Sequence, residues 1–183
     1  MNLSAVIVSY KSENLIKKIL SKLSKLNKVI IIENSQQKNL KERLEKKYKN
    51  AKVIIPTKNL GYAKAFNLGF KMCKTDYVLT LTPDIKIEKK IISNIINLVK
   101  VFKNFTLIAP VYKNRKIHNN YTPIKYKNKI KKVKNFLLEE VKDIDWCLCL
   151  LNKKKMNKKN ILDENFFMYF ETTDFCRRLF LKK

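Results

Sequence analysis

The sequence predicts an α/β fold, with a mostly parallel central sheet and helices on both faces. Short apolar runs rich in β-branched residues alternate with longer segments whose apolar residues recur every three or four positions. Strands that alternate with helices pair in parallel through right-handed crossovers. Polar residues also follow the strand ends, which in a parallel sheet gather at one edge. The fold class therefore predicts a single cleft where these polar groups meet.

The predicted elements follow one another in a regular order. Apolar runs predict strands at residues 3–8, 29–32, 53–55, 77–81 and 106–109. Helical spacing of apolar residues predicts helices at residues 13–26, 40–48 and 63–73, and a further helix that begins at Glu88. We expect one domain over residues 1–183, with a regular part (1–110) and a less regular part (111–183).

The last third of the chain is less regular. Residues 114–134 are polar and basic and predict a loop or weak hairpin over the cleft. Tyr121 and Tyr126 there either stack on a sugar or a base or are ordinary surface residues, and the second interpretation is favoured. Residues 141–151 predict one strand, with Cys147 and Cys149 on the same face as small core residues.

Composition limits the class of protein. The chain has 183 residues, 45% of them hydrophobic, which suits one domain with a sizeable core. Its net charge of +26 comes almost wholly from scattered lysines. Such a charge favours anionic partners, so an RNA-binding or anionic-surface-binding protein stays as an alternative, although nucleic acid is the less favoured partner. The cysteine spacing matches no zinc or redox motif, and no signal peptide or membrane span is visible, which fits a cytoplasmic protein.

Asp84 follows the central predicted strand. Pro83 stops the ladder of that strand, so the carboxylate lies just past its carboxyl end, where α/β sheets bind ligands. The alternative is that Asp84 only terminates the strand.

A second polar group lies near the C-terminus. Glu171, Asp174 and Arg178 have the spacing i, i+3, i+7 and share one helix face. They form either a structural ion-pair cluster or a general base beside an anion-binding group.

Together these residues resemble glycosyltransferase family 2, in its rhamnosyltransferase-like branch. The resemblance rests on five segments in order: Val-Ile-Val-Ser-Tyr-Lys-Ser at 6–12, Ile-Ile-Ile-Glu-Asn-Ser at 30–35, the Asn-x-Gly elements at 59–69, Leu-Thr-Pro-Asp at 81–84, and the acidic motif at 166–178. It implies a nucleotide-diphospho-sugar transferase fold and an inverting, metal-dependent sugar transfer. It also implies that residues 1–110 form the nucleotide-sugar-binding half and residues 111–183 the acceptor or catalytic half. The implied donor is a nucleotide-diphospho-sugar, and the implied acceptor is a saccharide or a lipid-linked saccharide at an anionic membrane surface.

The resemblance also implies roles for individual residues. Glu171 or Asp174 would be the catalytic base, Asp84 would hold Mg²⁺ or Mn²⁺, and the donor would be bound by Ser9, Tyr10, Glu33, Asn59, Gly61, Asn67 and Arg178.

The sequence departs from the family pattern at several positions. Glu33 replaces the usual Asp, and Thr82 replaces the first Asn or Asp of the metal motif. Thr172 stands where many members have Asp. Members usually continue beyond the position of Lys183, so a C-terminally truncated domain and a catalytically inactive sugar-nucleotide binder both stay open as alternatives.

Overall fold

The computed structural model describes residues 2–112, 120–124, 130–156 and 161–181. Its strands are β1 (Leu3–Ser9), β2 (Val29–Glu33), β3 (Ala51–Ile54), β4 (Tyr77–Leu81), β5 (Leu107–Ile108), β6 (Tyr121–Pro123), β7 (Ile130–Val133), β8 (Phe136–Glu139), β9 (Val141–Ile144) and β10 (Leu148–Asn152). Its helices are α1 (Glu13–Leu20), α2 (Leu40–Lys47), α3 (Gly61–Met72), α4 (Lys89–Val101) and α5 (Glu171–Phe180).

The central sheet is mostly parallel, as the alternation of strands and helices predicts. Within the described residues it has six strands in the order β3-β2-β1-β4-β10-β5. The first four are parallel, whereas β10 runs antiparallel between β4 and β5. The carboxyl ends of β1, β2, β3 and β4 therefore lie at one edge.

Alternate residues of the strands pack into two separate hydrophobic cores, one on each face of the sheet. On one face, Ala5 and Ile7 of β1 pack with the apolar stripes of α1, α2 and α4. On the other face, Val6 of β1 packs with α3, α5 and Trp146. The two cores hold the sheet between layers of helices, and this confirms the predicted fold class.

The first helix is shorter than its leucine spacing predicts. It ends at Leu20, and single turns continue to Leu26, with hydrogen bonds from Leu23 N to Leu20 O and from Leu26 N to Leu23 O, both 3.0 Å long. The side-chain amide of Asn50 donates to the carbonyls of Leu23 and Leu26 at 2.9 and 3.2 Å. Because these carbonyls have another partner, both leucines stay buried without a helix.

The single strand predicted at residues 141–151 is wrong, because the chain turns at Trp146. The indole ring packs edge-on against Phe66 and Phe175, with ring centroids 5.4 and 5.3 Å apart. This turn separates β9, which pairs with β6, from β10 in the central sheet. Cys149 is buried in β10 as expected, but Cys147 precedes the strand and is half-buried, so the two do not share a strand face.

The predicted cover over the cleft is only partly described, since residues 113–119 and 125–129, including Tyr126, lie outside the described ranges. Its described C-terminal part pairs as the β7–β8 hairpin. Lys131 Nζ lies 5.4 Å from the ring centroid of Phe102, just after α4. This hairpin therefore lies beside the end of α4 and not over the cleft.

No helix among the described residues has both the length and the apolar character that a bilayer span requires.

Candidate active site

The ends of β1 and β2 place two buried polar side chains next to each other. Ser9 and Glu33 are register partners, and both are essentially inaccessible to solvent. One oxygen of Glu33 accepts hydrogen bonds from the backbone N–H of Ser35, at 2.9 Å, and from its hydroxyl. The other oxygen, Oε2, and the Ser9 hydroxyl are buried without a hydrogen-bond partner. Since buried polar atoms are normally paired, these two have unused capacity for hydrogen bonds.

The loop after β1 is exposed directly beyond Ser9. Tyr10 is 53% exposed, and Lys11 Nζ lies 5.6 Å from its ring centroid. Lys11 adopts a positive φ of 52°, and its N–H donates to the Ser35 hydroxyl at 3.1 Å. The loops after β1 and β2 are thus joined by a hydrogen bond next to Tyr10.

Asn34 joins the β2 loop to the start of α3. Its side-chain amide donates to the carbonyl of Gly61 at 3.1 Å, and its side-chain oxygen accepts from Leu60 N–H at 3.3 Å. The exposed Asn59 closes the turn, because its side-chain oxygen accepts from Gly61 N–H at 2.9 Å. The Asn-x-Gly element is therefore built around the backbone of Gly61.

Gly61 is required here by both conformation and space. It has a positive φ of 72°, and an added Cβ would lie 2.8 Å from Cδ2 and 3.0 Å from the carbonyl carbon of Phe167, and closer still to its carbonyl oxygen. The N–H of the next residue, Tyr62, donates to that same oxygen at 2.7 Å. This contact attaches the segment before α5 to the start of α3.

Asn67 attaches a second point of the same segment. Its amide donates to the carbonyl of Leu162 at 2.8 Å and to the Glu164 carboxylate at 3.0 Å, while its oxygen accepts from Leu162 N–H at 3.1 Å. The side chain is buried. Its donor and acceptor groups are thus already engaged within the protein.

Helix α5 carries the predicted acidic group, with Glu171 as its first residue. Glu171 is 5% exposed, and its Oε2 has no hydrogen-bond partner in the described structure. Burial raises the pKa of its carboxyl above the ordinary value. Nearby Tyr62 is held neutral, because burial raises its pKa, and its hydroxyl lies 3.4 Å from that of Thr80. Glu171 is thus a carboxyl group with raised proton affinity and a free oxygen.

Asp174 and Arg178 are engaged with each other. Arg178 Nε donates to Asp174 Oδ2 at 2.8 Å, and another guanidinium nitrogen donates to the carbonyl of Ile161 at 2.9 Å. The two carboxylates of α5 therefore differ in kind, one free and buried, the other paired.

Asp84 lies at the predicted position just beyond β4, with an exposed side chain. Two residues before it, the Thr82 hydroxyl is buried without a hydrogen-bond partner. Carboxylate and hydroxyl oxygens suit a hard divalent cation such as Mg²⁺ or Mn²⁺. The described residues contain no group of three or more His, Cys, Asp or Glu side chains that could hold a metal ion alone. These residues therefore fit a cation that takes most of its ligands from a bound molecule or from water.

One hydrogen-bonded network connects Ser9, Asn59 and Gly61 of the predicted site residues, whereas Asp174 and Arg178 form a separate pair. Backbone and side-chain hydrogen bonds run from Ser9 through Asn34 to Gly61, and from Tyr62 through Phe167 toward α5. Asp84 shares the sheet edge through the strand order but not this network. Asn34 and Tyr62 were not among the predicted site residues, although each is the direct neighbour of one.

The architecture defines the class of protein: a mostly parallel α/β sheet with unpaired polar groups at the carboxyl edge, of the nucleotide-diphospho-sugar transferase fold. The chain belongs to glycosyltransferase family 2, since the family model "Glycosyl transferase family 2" matches residues 4–160.

Several characterised proteins resemble the chain. It is 26% identical over 190 residues to the low-salt glycan biosynthesis hexosyltransferase Agl10 of Haloferax volcanii, covering 97% of this chain and 61% of Agl10. Residues 1–349 of S. aureus TarS, solved in complex with UDP-GlcNAc, superpose with a TM-score of 0.69 at 17% identity, covering 99% of this chain and 54% of that one. The mannosyltransferase PcManGT of Pyrobaculum calidifontis, solved with GDP-Man and Mn²⁺, gives 0.61 at 10% identity, covering 84% and 45%. The chain thus spans about half to three-fifths of the length of these relatives.

Proposed function

We propose that this chain transfers a hexosyl or rhamnosyl unit from a nucleotide-diphospho-sugar to a saccharide or lipid-linked acceptor, with inversion at the anomeric carbon. The observation that carries the proposal is Glu171, whose buried carboxyl has a free oxygen and a raised pKa. A base must be free to receive a proton, and its pKa should be close to the working pH of the enzyme. The relatives of known activity are transferases, and the solved ones bind nucleotide sugars, which supports the same class here.

The nucleoside would bind at the ends of β1 and β2. The Ser9 hydroxyl and Glu33 Oε2 supply unpaired polar atoms, and the exposed ring of Tyr10 supplies a flat apolar surface. A ribose hydroxyl or a base N–H could donate to Glu33, which would relieve the cost of its buried, unpaired oxygen. Asn59 and Gly61 would contribute by shaping the turn before α3, in which the Asn59 side chain accepts a hydrogen bond from Gly61 N–H.

Asn67 contributes by positioning. Because its amide groups already bind the 162–164 segment, we assign it the role of fixing the chain that leads to Glu171. Arg178 is divided between Asp174 and a backbone carbonyl, so an anionic diphosphate would have to compete with Asp174 for its guanidinium.

In the transfer step, the acceptor hydroxyl gives its proton to Glu171 while its oxygen forms a bond to the anomeric carbon. The bond from that carbon to the diphosphate oxygen breaks, and the nucleoside diphosphate leaves with the electron pair. Attack from the opposite side inverts the anomeric configuration. Asp84 would hold a divalent cation, which when bound neutralises negative charge on the diphosphate.

The charge of the chain suggests where the reaction takes place. With a net charge of +26, the protein is expected to concentrate at an anionic membrane surface on the cytoplasmic side, where a lipid-linked acceptor would be within reach.

A thermal-shift screen with UDP-, GDP- and dTDP-sugars, with and without Mn²⁺ or Mg²⁺, tests donor binding. A ligand that binds only the folded state raises the melting temperature. We expect a shift with at least one donor that grows when the cation is present. A protein that responds to RNA in a salt-dependent manner but to no nucleotide sugar would instead be a basic binding protein.

A further inference from the structure

Four large apolar side chains in a row are exposed directly before Glu171. Phe167, Met168, Tyr169 and Phe170 are 56%, 51%, 72% and 73% exposed. We call residues 167–170 the aromatic segment. Contiguous exposed apolar patches on soluble proteins commonly mark binding sites. The position of this patch, one residue from the free carboxyl, makes it a candidate part of the active site.

The backbone of the aromatic segment is in an unusual conformation. Tyr169 and Phe170 both have positive φ angles, of 70° and 65°. This left-handed conformation is unfavourable for residues that carry a Cβ. Such strain persists where the surroundings enforce it, and it is concentrated at ligand-binding and active sites. In this case the strained residues are also the two most exposed ones of the segment.

The segment is held at fixed points on both sides. Asn67 binds Leu162 and Glu164 upstream, the carbonyl of Phe167 accepts from Tyr62 N–H at 2.7 Å, and Glu171 is buried in the first turn of α5. The backbone is thus anchored to the start and middle of α3. The exposed rings are presented on a fixed support, as a stacking surface requires.

The sequence around the segment lacks the positive charge of the rest of the chain. Residues 161–176 contain four acidic residues and no lysine or arginine, and Arg178 pairs with one of the four, Asp174. This stretch therefore offers an anionic membrane or nucleic acid little electrostatic attraction. A neutral ligand with apolar faces and polar edges fits better, because aromatic rings bind such faces by stacking.

We propose that the aromatic segment is the acceptor subsite, in which Tyr169 and Phe170 stack against a neutral sugar ring of the acceptor. A hydroxyl of that sugar, or of its neighbour, is then placed beside Glu171, the residue that directly follows Phe170. This inference rests on the proposed function, since it assumes that Glu171 receives the proton of an acceptor hydroxyl.

Saturation-transfer NMR tests the subsite directly. The probes are the methyl glycosides of glucose, galactose, mannose, N-acetylglucosamine and rhamnose, each with UDP or GDP present. We expect saturation of ring protons for at least one glycoside with the unaltered chain. In Tyr169→Asn/Phe170→Asn its affinity should fall on the order of tenfold. Asn is chosen because it tolerates the left-handed conformation, so the backbone is retained.

The matched control is Ile130→Asn/Leu137→Asn. These residues are 61% and 73% exposed but lie on the β7–β8 hairpin beside α4. We expect this variant to keep the glycoside signal. The subsite is disproved if no glycoside is saturated by the unaltered chain, if the Tyr169/Phe170 variant keeps full affinity, or if the control loses it equally.

Two further measurements distinguish an acceptor subsite from a membrane contact and from an interface between copies. The thermal shift by nucleotide sugars should persist in Tyr169→Asn/Phe170→Asn, so a failure of the subsite is distinct from a failure of donor binding. If this variant keeps glycoside binding but loses co-sedimentation with phosphatidylglycerol vesicles, the segment is a membrane contact. If instead it changes only the sedimentation coefficient of a self-associated protein, the segment is an interface between copies. Either result overturns the proposal.

Discussion

Replacing Gly61 by alanine should loosen the active site through a single methyl group. The left-handed conformation at φ 72° costs a residue with a Cβ about 1–2 kcal/mol. The new Cβ would also meet the carbonyl group of Phe167, which is backbone and cannot rotate away. If that carbonyl shifts, the hydrogen bond from Tyr62 N–H weakens, at a cost of about 1 kcal/mol. We therefore expect a destabilisation of about 2–4 kcal/mol, a large share of the roughly 5–15 kcal/mol of a typical domain.

Urea unfolding followed by tryptophan fluorescence measures this loss, since Trp146 is the only tryptophan and is buried between Phe66 and Phe175. Gly69→Ala is the control within the same helix. Its Cβ would meet the side-chain Cγ1 carbons of Val6 and Ile32 at 2.7 and 3.4 Å, and side chains can adjust. The gain in helix propensity offsets part of that overpacking, so the net cost should stay below about 2 kcal/mol. A Gly61→Ala variant within about 0.5 kcal/mol of the unaltered protein would refute the reasoning.

Four other tests concern the site and its surroundings. Glu171→Gln should reduce sugar transfer by about 10²–10⁴-fold in a product-release assay while donor binding persists. Asp174 would instead be the base if Asp174→Asn folds and binds the donor but transfers no sugar, while Glu171→Gln stays active. Burial raises the Glu171 pKa above its ordinary value of 4.5, so between these two pKa values the folded state binds a proton that the unfolded state does not. The stability of the unaltered protein should therefore fall as pH rises through this window. Urea titrations at several pH values should show a smaller fall in Glu171→Gln. Asp84→Asn should remove the metal dependence of nucleoside diphosphate binding in calorimetry with no loss of fold, and an unchanged dependence would show that the cation is held elsewhere. The unaltered protein should co-sediment with anionic vesicles at low salt and be released at 1 M salt, where the Debye length is roughly 3 Å; no sedimentation even at low salt would exclude recruitment by charge.

The sequence was sufficient for the features that depend on local pattern. The sequence predicts the buried strands β2 and β4 and the start of the amphipathic helix α4 within one or two residues. Burial requires apolar residues at particular positions, and the order of residues shows that pattern directly. The position of Asp84 just past β4 was predictable for the same reason, since a proline ends the strand before it.

Features that depend on distant partners were not predictable. The early end of α1 depends on the side chain of Asn50, which comes from another loop. The turn at Trp146 depends on rings from α3 and α5. The engagement of Asn67 with residues 162–164 joins positions that are 95 or more residues apart, so no local pattern could distinguish it from a ligand-binding amide.

The contrast between the two carboxylates of α5 is a further example. Their spacing predicts a shared helix face, but only the structure shows that Arg178 pairs with Asp174 and leaves Glu171 buried and free. The choice between base and ion-pair cluster therefore depends on side-chain geometry that helical periodicity does not carry.

Release of nucleoside diphosphate is the most direct test of the central claim, that this chain is a sugar transferase with Glu171 as its base. The chain would be incubated with UDP-, GDP- and dTDP-sugars, Mn²⁺ and a panel of glycoside acceptors, and the freed nucleoside diphosphate would be quantified by chromatography. We predict acceptor-stimulated release from at least one donor, and release lower by at least about 10²-fold in Glu171→Gln. A donor that raises the melting temperature but is never cleaved, with the unaltered chain and Glu171→Gln behaving alike, would contradict the claim and identify the chain as a sugar-nucleotide binder without transferase activity.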